Sequence, residues 1–369
     1  MKVALVHDYL IQLGGAERVL EEFCDIFPDA PIFTLLYDEE ATGGRFRDRE
    51  VRTSFLQRVP FARRHHRMFP VAMPLAAEHL GIEGFDLVLS DSAGFAKGII
   101  VPPPARHIAY CHTPLRYAWD DSQRYIGEFQ SFPRLFRFVA PLALTYVRLW
   151  DYAASQRPDF FLANSQHVKR RIAKYYGRGA KVVYPPVRTA FFAAASRRPE
   201  DAFLMAGRLL AYKRFDLGIL AARKAGVKLR IVGDGPEYRN LRRLAGPGVA
   251  FIGSVDDAAL REELAKCRAL LFPQEEDFGI IAVEALAAAA PVIAYAMGGA
   301  LEIVTPKTGM LVAEQSPDAF ARALREFRDD AFHPDALRAR AAAFDSAIFR
   351  HRILESIRDT DREGRAQSI

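Results

Sequence analysis

The sequence predicts an α/β protein of two doubly wound domains, each built around a parallel sheet. Its 369 residues exceed the size at which a single hydrophobic core stops growing, so two domains are expected. Short runs rich in Val, Ile, Leu and Phe recur, each ending in polar or glycine residues and followed by helical periodicity. This rhythm occurs twice along the chain. Because ligands of such folds bind beyond the carboxyl ends of the strands, we expect the two domains to face a central cleft.

The expected strands form two sets. The first set is VALVH, FDLVLSDS, HIAYCH and DFFLANS, and the second is AFLMAGR, LRIVGDG, ALLFP and PVIAY. A proline-rich stretch interrupts the periodicity between the sets, which places a linker around residues 186–200. We therefore predict an N-terminal Rossmann-like domain over residues 1–186 and a second such domain over residues 187–345. A C-terminal helix and tail, residues 346–369, are expected to pack back on the N-terminal domain.

Composition narrows the class of protein. Hydrophobic residues make up 50% of the chain and charged residues 26%, which is ordinary globular composition and excludes a disordered chain. The net charge of +6 fits an anionic ligand, an anionic membrane surface or nucleic acid. The three cysteines are far apart in sequence, so neither a disulfide framework nor a zinc site is indicated, and a reducing compartment fits best. The N-terminus is interpreted as a strand and not as a signal peptide, and no apolar run is long enough to span a bilayer.

Polar and glycine residues follow the strands of the first domain. Gly14 and Gly15 lie between the first strand and a helix, where backbone N–H groups can approach an anion, although a plain turn explains them as well. His112 follows the third strand of the set, and His7 ends the first. A lone histidine is more often a structural hydrogen-bonding residue than a catalyst. Asn164 precedes Ser165, which alternatively caps the next helix.

Basic and glycine residues follow the strands of the second domain. Arg208 and Lys213, in MAGRLLAYKRFD, could clamp a diphosphate by bidentate and point-charge contacts, but a solvated basic loop has the same composition. Gly233 and Asp234, in LRIVGDGPE, stand where small residues permit close backbone approach, and a simple turn explains them equally well.

Two acids remain inside an otherwise apolar segment of the second domain. In LFPQEEDFGIIAVEALAAAAPVIAY, Glu276 is expected on a loop after a strand and Glu284 about one and a half turns inside the following helix. A charge in such a setting costs several kcal/mol unless a partner pairs with it or uses it. Gly279 at the helix start allows an anion to approach the N–H groups between the acids. Both acids could therefore face one ligand, although pairing of Glu284 with a neighbouring Arg is the structural alternative.

At these residues the chain resembles the retaining glycosyltransferases of family 4, which have the GT-B fold of two facing Rossmann-like domains. The resemblance rests on EDFGIIAVE, an E-x7-E pattern, followed by EALAAAAPVIA and GGALEIV, and on GRLLAYKRFD. The segments HDYLIQLGGAERV and CHTPLRYAWD look most like the bacterial mannosyltransferases that use GDP-mannose to assemble surface polysaccharides. One departure is Ala289, where the family usually has glycine two residues before the proline. We interpret it as a packing variation.

The resemblance implies a role for each residue that matches the motifs. Gly15 and neighbouring N–H groups would meet the donor phosphate, while Arg208 and Lys213 would neutralise the diphosphate. His112 would touch the transferred sugar. The other residues expected to bind the donor are Gly14, Asn164, Gly233, Asp234, Phe278, Gly279 and Ile280.

The two acids would recognise hydroxyl groups. The resemblance assigns Glu276 to the sugar and Glu284 to the ribose, so the second acid recognises the donor and is not a catalytic base. Charge-assisted hydrogen bonds of this kind count for more in an apolar site than in water.

The implied reaction moves a sugar, with mannose from GDP-mannose as the expected donor, to a hydroxyl of a glycan or polyprenyl-diphosphate-linked acceptor. The anomeric configuration is retained, through either a front-face mechanism or a covalent intermediate. The family needs no metal and no cofactor beyond the nucleotide sugar, and no Asp-x-Asp stands in a suitable place.

A basic segment bears on where the acceptor lies. Residues 45–67 hold eight arginines with Phe46, Phe55, Leu56 and Phe61 interleaved. Such a segment can bind anionic lipid head groups at about 1 kcal/mol per basic residue, or nucleic acid, or form a solvated helix face. With the resemblance, an anionic membrane surface is the expected partner and nucleic acid is not, which predicts a cytoplasmic enzyme peripherally bound to the inner face of the membrane.

Other functions fit parts of the pattern. A family 4 enzyme with a UDP-sugar donor would share the motifs, because the base and sugar contacts come largely from backbone and loops. A UDP-N-acetylglucosamine 2-epimerase would share the fold but lacks the EDFGIIAVEAL and R-x4-K combination. A binding module without catalysis would leave the buried acids unexplained.

Overall fold

The structure is a computed structural model that describes residues 1–65, 69–120 and 134–366. The chain divides into two compact units. The N-terminal domain comprises Met1–Tyr184 together with Arg350–Ile369, and the C-terminal domain comprises Pro185–Phe349.

The N-terminal domain is built on a seven-stranded sheet whose pairs are all parallel. The strand order is β3-β2-β1-β4-β5-β6-β7. The strands are β1 (Val3–His7), β2 (Ile32–Thr34), β3 (Val51–Thr53), β4 (Leu87–Ser92), β5 (Arg106–Cys111), β6 (Phe160–Ala163) and β7 (Lys181–Val182). The order reverses between β1 and β4, which is the point where ligands of doubly wound folds bind. Every residue of β1 and of β4 is buried, as a parallel strand covered on both faces requires.

Helices cover this sheet. Those described are α1 (Gly15–Ile26), α2 (Ala72–Glu78), α3 (Arg134–Ala154) and α4 (Gln166–Tyr176). The side chain of Ser165 accepts a hydrogen bond from the backbone N–H of Val168 and so caps the N-terminus of α4. The alternative prediction for Ser165, a helix cap, is therefore confirmed.

The C-terminal domain is built on a six-stranded parallel sheet with the order β10-β9-β8-β11-β12-β13. The strands are β8 (Phe203–Ala206), β9 (Leu229–Val232), β10 (Val249–Gly253), β11 (Leu270–Phe272), β12 (Val292–Tyr295) and β13 (Gly309–Val312). The order reverses between β8 and β11, so the loops after these two strands define the second ligand-binding edge.

Helices also flank the second sheet. They are α5 (Thr189–Ala193), α6 (Phe215–Ala225), α7 (Tyr238–Leu244), α8 (Asp257–Lys266), α9 (Ile280–Ala287), α10 (Ala300–Ile303), α11 (Pro317–Glu326) and α12 (Pro334–Ala342). Helix α9 is apolar on nearly every side because it packs against both α12 and α5. The prediction of two parallel-sheet α/β domains is confirmed.

Two details differ from the sequence prediction. The proposed linker over residues 186–200 is wrong, since this stretch contains α5 and belongs to the C-terminal domain, where the N–H of Val187 donates to the carbonyl of Phe344 at 3.0 Å. Five strands were not predicted, namely β2, β3, β7, β10 and β13.

The C-terminal helix α13 (Ser346–Ala366) contributes its later part to the N-terminal domain. There Arg350 pairs with Asp25 of α1 at 2.7 Å, and Asp359 accepts from Lys181 of β7 at 2.9 Å. These charged contacts tie the end of the chain to that domain. Residues 367–369 of the predicted tail lie outside the described part of the chain.

Candidate active site

Four side chains meet at the carboxyl end of the N-terminal sheet. Asp91, on β4, stands beside His7 of β1 in the parallel register, and its Oδ2 accepts from His7 Nδ1 at 2.9 Å. Its other oxygen, Oδ1, accepts from His112 Nε2 at 2.5 Å. On the far side of His7, Nε2 lies 3.8 Å from Oε1 of Glu17, which belongs to α1. Asp91 is completely buried, and the side chains of His7 and Glu17 are nearly so.

His112 is held by its backbone as well as by its ring. Its N–H donates to the carbonyl of Ser92 at 2.8 Å, which extends the pairing of β4 and β5 by one residue. The side-chain amide of Asn164 donates to the carbonyl of His112 at 2.9 Å. The ring of Tyr110 lies edge-on to the ring of His112 at 5.2 Å. The structure thus brings together His112 and Asn164, which were predicted independently as candidate site residues.

Burial and ion pairing compete in this cluster. Burial by itself would lower the pKa of His7, but its hydrogen bond to Asp91 and the nearby carboxylate of Glu17 outweigh that effect and raise the pKa to about 10. Burial would raise the pKa of Asp91, but the neighbouring His112 and His7 hold it below its usual value. At neutral pH His7 is therefore an imidazolium between the carboxylates of Asp91 and Glu17. Its buried positive charge, which would destabilise the fold if it stood alone, is balanced by these two negative charges.

The Gly14-Gly15 loop opens α1. Gly14 is the N-cap residue and has an extended backbone, so left-handed conformation is not the reason for glycine there. A Cβ at Gly14 would come within 3.1 Å of Oε2 of Glu17. The carboxylate of Glu17 therefore already lies at the positive end of the helix dipole, and a phosphate bound at Gly15 would share this end with it.

In the C-terminal domain the structure brings Lys213 and Glu276 together. Lys213 ends a short 3-10 helix, Ala211–Lys213, after β8, and Glu276 lies on the loop after β11. The Nζ of Lys213 is 3.1 Å from Oε1 of Glu276, and the two side chains are 17% and 19% exposed. Arg208 lies on the same loop as Lys213 and is exposed. A cation and an acid thus stand side by side at the edge where the strand order reverses.

Close backbone contacts fix the loop that carries Glu276. The N–H of Gly299 donates to the carbonyl of Glu276 at 2.9 Å. A Cβ at Gly298, whose φ is +61°, would come within 2.3 Å of that same carbonyl oxygen, and a Cβ at Gly299 within 2.2 Å of the carbonyl oxygen of Phe278. The pair of glycines is therefore required for the loop to keep its course.

Glu284 lies in the second turn of α9 and is 3% exposed. The helix begins after Gly279, the N-cap residue, whose φ of +99° favours glycine and whose Cβ would come within 2.7 Å of the Phe272 ring. Ile280 is half-buried as the first residue of the helix, and Phe278 is buried with its ring 5.4 Å from that of Phe344. Phe278 therefore serves first to anchor this loop.

The Gly233-Asp234 turn packs backbone against backbone. Gly233 has a φ of +127°, and a Cβ there would come within 2.0 Å of the carbonyl oxygen of Gly207. The side chain of Asp234 is exposed and accepts from the N–H of Gly235 at 2.7 Å. This close contact with the loop after β8 accounts for glycine at position 233, and donor binding by Gly233 and Asp234 stays a prediction.

Several residues of these sites had no role assigned from the sequence. Glu17, Gly207, Gly298 and Gly299 stand within the motifs that carry the family resemblance, whereas Asp91 lies outside them. Asp91 had a signal, since it is an acid near the end of an apolar strand, but its partners are distant in sequence. Among the described residues, no group of three or more His, Cys, Asp or Glu side chains is arranged to hold a metal ion.

Comparisons with known proteins agree with this architecture. Residues 13–191 match the sequence profile Glycosyltransferase Family 4, and residues 187–344 match the profile Glycosyl transferases group 1. The chain carries a family 4 and a group 1 glycosyltransferase domain. It is therefore a GT-B protein, as its two parallel-sheet domains also indicate.

Individual relatives of this GT-B protein differ in substrate. A D-inositol 3-phosphate glycosyltransferase of Streptomyces avermitilis is 31% identical over 47% of this chain and 45% of its own length. A GDP-mannose-dependent monoacylated alpha-(1-6)-phosphatidylinositol monomannoside mannosyltransferase of Corynebacterium glutamicum is 35% identical over 34% of this chain and 35% of its own length. The chain thus spans less than half the length of these two curated relatives.

Solved structures share the fold at low identity. The Anabaena protein HepE in complex with UDP-glucose is 18% identical, with a TM-score of 0.69 over 97% of this chain and 100% of that one. Sucrose-phosphate synthase from Thermosynechococcus elongatus is 15% identical, with a TM-score of 0.67 over 98% and 100%. At such identities the likeness shows the fold alone.

Proposed function

We propose that this GT-B protein is a retaining glycosyltransferase that moves a sugar from a nucleoside diphosphate to a hydroxyl of a glycan or lipid-linked acceptor. The observation that carries the proposal is the Lys213–Glu276 pair, held at 3.1 Å in the domain that matches the group 1 profile. A cation beside a carboxylate can meet a diphosphate while the acid meets sugar hydroxyls, so one pair serves both halves of a sugar nucleotide.

The charge that develops on the leaving diphosphate sets the roles of the basic residues. As the bond to the sugar breaks, an oxocarbenium-like sugar and an anionic diphosphate form. Fixed positive groups aimed at that anion lower the barrier, and we assign this task to Lys213 and Arg208. Lys213 is restrained by Glu276, and Arg208 is exposed on the same loop. With two side-chain cations on the diphosphate, the reaction has no need of a metal ion.

The acids and the histidine recognise hydroxyl groups in this proposal. Glu276 binds hydroxyls of the transferred sugar and buried Glu284 those of the ribose, since a carboxylate in an apolar setting makes strong charge-assisted hydrogen bonds. His112 is assigned to a hydroxyl of the substrate. Its backbone and ring are both fixed, which suits a group that must hold one orientation.

We assign mannose from GDP-mannose as the donor and cell-surface polysaccharide synthesis as the setting. The sequence similarity of HDYLIQLGGAERV and CHTPLRYAWD to bacterial mannosyltransferases supports this assignment, as does the GDP-mannose-dependent relative. A UDP-sugar donor is the second candidate, favoured by the fold of the Anabaena protein seen with UDP-glucose.

A nucleotide panel separates these donors. Thermal shifts are measured with GDP, UDP, ADP and NAD, because a ligand at about one hundred times its Kd adds roughly 2.7 kcal/mol of stability. Stabilisation by GDP alone supports the mannosyltransferase, and stabilisation by UDP alone replaces the donor but keeps the reaction class. Transfer from the matching sugar nucleotide is then followed by NMR, where a product of inverted anomeric configuration contradicts retention. No response to any nucleotide contradicts the transferase itself.

Binding to an anionic membrane surface through residues 45–67 brings the enzyme to its acceptor, at the cytoplasmic face of the membrane. Several arginines of this segment are neutralised locally, for example Arg45 by Glu21 at 2.9 Å and Arg52 by Glu50 at 2.7 Å. Within the described part of the chain, exposed Arg58 and Arg64 form no ion pair, and Phe61 is 77% exposed. The alternative prediction, that residues 45–67 form a solvated helix face, is wrong for the described residues, because their only helical piece is a short 3-10 turn over Phe55–Arg58. Arg67 lies outside the described residues. In the described part of the chain no helix is long and apolar enough to cross a bilayer.

The membrane proposal is tested with liposomes of anionic and of neutral lipid. We expect salt-sensitive binding to the anionic liposomes only, reduced in the double variant Arg58→Glu and Arg64→Glu. The double variant Arg239→Glu and Arg242→Glu, which changes two charges on α7 of the C-terminal domain, is the control. Equal binding to both lipids, or an equal effect of the control, contradicts the proposal.

A further inference from the structure

A continuous row of titratable side chains, called the chain below, runs through the N-terminal domain. It begins with Glu17 on α1, passes through His7 on β1 and Asp91 on β4, and ends at His112 after β5. The successive separations are 3.8 Å, 2.9 Å and 2.5 Å. The first three members are buried, and His112, at 13% side-chain exposure, is the member that a ligand can reach.

The carboxylate of Asp91 determines which ring nitrogen of His112 carries the proton. An ionised carboxylate can only accept hydrogen bonds, so both ring nitrogens that face Asp91 must bear a proton. For His7 this atom is Nδ1, and for His112 it is Nε2. In neutral His112 the proton therefore resides on Nε2, and Nδ1 carries a lone pair that can accept a hydrogen bond from a hydroxyl.

We propose that Asp91 is a positioning residue for sugar transfer, which fixes His112 in the Nε2–H tautomer so that Nδ1 accepts a hydrogen bond from a hydroxyl of the substrate. This inference rests on the function proposed above and adds to it a residue that does not itself touch the substrate. The backbone of His112 is already held by Ser92 and Asn164, so the ring proton is the remaining variable, and Asp91 decides it.

His7 and Glu17 keep Asp91 available for this task. A buried carboxylate without a cationic partner would take up a proton and then donate a hydrogen bond where it should accept one. The imidazolium of His7 prevents this, because it donates through Nδ1 to Asp91 and faces Glu17 through Nε2. Glu17 in turn balances the second half of the imidazolium charge.

The test is the isosteric variant Asp91→Asn. An amide presents one acceptor and one donor group, so it cannot accept from both histidines, and the Nε2–H tautomer of His112 gives way to a mixture that follows the orientation of the amide. The matched control is Ser90→Ala on the same strand. It removes an equally buried hydrogen bond, between Ser90 Oγ and His107 Nε2 at 2.8 Å, that takes no part in the chain.

Two measurements are made on the full chain. The first is the 15N spectrum of the histidine ring nitrogens, with His112 assigned by its loss in His112→Gln. The second is steady-state kinetics with the donor that the nucleotide panel identifies. In the wild type we expect a pyrrole-type Nε2 and a pyridine-type Nδ1 for His112, and we expect Ser90→Ala to leave both the spectrum and the turnover unchanged.

For Asp91→Asn we expect an altered His112 tautomer and a kcat lower by about 10- to 100-fold, the range for losing one buried hydrogen bond to a charged group. The donor KM should change by less than about threefold, since nucleotide contacts remain. A wild-type His112 with a protonated Nδ1, whether neutral or doubly protonated, overturns the inference. A kcat within about twofold of wild type in Asp91→Asn overturns it as well.

Folding and function are kept separate in this design. If Asp91→Asn does not fold, the wild-type spectrum still decides the tautomer. His7→Asn, which removes the imidazolium that keeps Asp91 ionised, should then alter the His112 spectrum, and a wild-type His112 spectrum in this variant counts against the charge balance described for Asp91. If the wild type transfers no sugar from any donor, the proposed function fails, while the ring-nitrogen spectra still test the role of Asp91.

Discussion

Replacement of Lys213 by alanine should remove most of the activity and little of the stability. The change deletes the Nζ that lies 3.1 Å from Glu276 and that we assign to the donor diphosphate. Loss of one preorganised contact to a developing charge typically lowers the rate by about 10²- to 10³-fold, which is roughly 3–4 kcal/mol in the barrier. The direct Coulomb attraction of the pair is about 5 kcal/mol at an effective dielectric of 20. Desolvation and side-chain ordering cancel most of it, so the free energy of unfolding should fall by only about 1 kcal/mol.

The assay compares kcat/KM and urea unfolding for the wild type and for Lys213→Ala. The control is Lys228→Ala, which breaks an ion pair with Asp201 in the same domain at 3.4 Å, where the side chains are 68% and 75% exposed. Glu276→Gln and the double variant complete a cycle, in which the two losses should not add because the residues act as one unit. If Lys213→Ala remains within twofold of wild type, or if Lys228→Ala loses as much, the clamp reasoning is refuted.

Further predictions concern metal, backbone and pH. EDTA should leave turnover unchanged, and a strict Mn²⁺ requirement would contradict the roles given to Arg208 and Lys213. Gly298→Ala should lower kcat/KM more than tenfold because its Cβ would collide with the Glu276 carbonyl, whereas Gly226→Ala, at a similar φ of +70° but with open space around it, should cost only about 1 kcal/mol of stability. Stability of the N-terminal domain should be greatest near pH 6.5 and should be followed by the fluorescence of Trp119 and Trp150, both of which lie in that domain. Above this pH, stability is lost toward the His7 pKa of about 10, which His7→Asn should abolish; below it, stability is lost toward the pKa of about 3 that burial gives His107. A pH-independent transition would contradict both assignments.

The strands that the sequence predicted share one physical property. They lie in the middle of their sheets, are covered on both faces and therefore show as uninterrupted apolar runs. Four of the strands that were missed, β3, β7, β10 and β13, are edge strands with one side open, and the fifth, β2, is buried but only three residues long. β3, for example, is only Val51–Thr53, and it falls inside the arginine-rich segment, whose charges concealed it. The two edge strands of the first sheet, β3 and β7, are only three and two residues long. Such short strands contain too few residues to show a periodic pattern in the sequence.

The candidate site was predictable in its motif residues and not in their partners. Lys213 and Glu276 meet because they lie on the loops after β8 and β11, which are neighbours in the sheet. These two strands are far apart in sequence, so their adjacency depends on the strand order of the folded sheet. Asp91 is a sharper case. Whether a buried acid is destabilising or useful depends on the hydrogen-bond and charge partners within about 4 Å, and here these are His7 and His112, 84 and 21 residues away in sequence.

Ala289 shows how a departure from a family pattern can be absorbed by packing. The residue has a φ of +59°, in the left-handed region that glycine adopts without steric cost. That conformation costs an alanine roughly 1–2 kcal/mol. The methyl group is buried at 1% exposure, which returns about 0.8 kcal/mol, and alanine also loses less entropy than glycine on folding. The burial of the methyl group therefore nearly offsets the backbone strain at Ala289. Helix α9, which carries Glu284, can thus end without a glycine after its last turn.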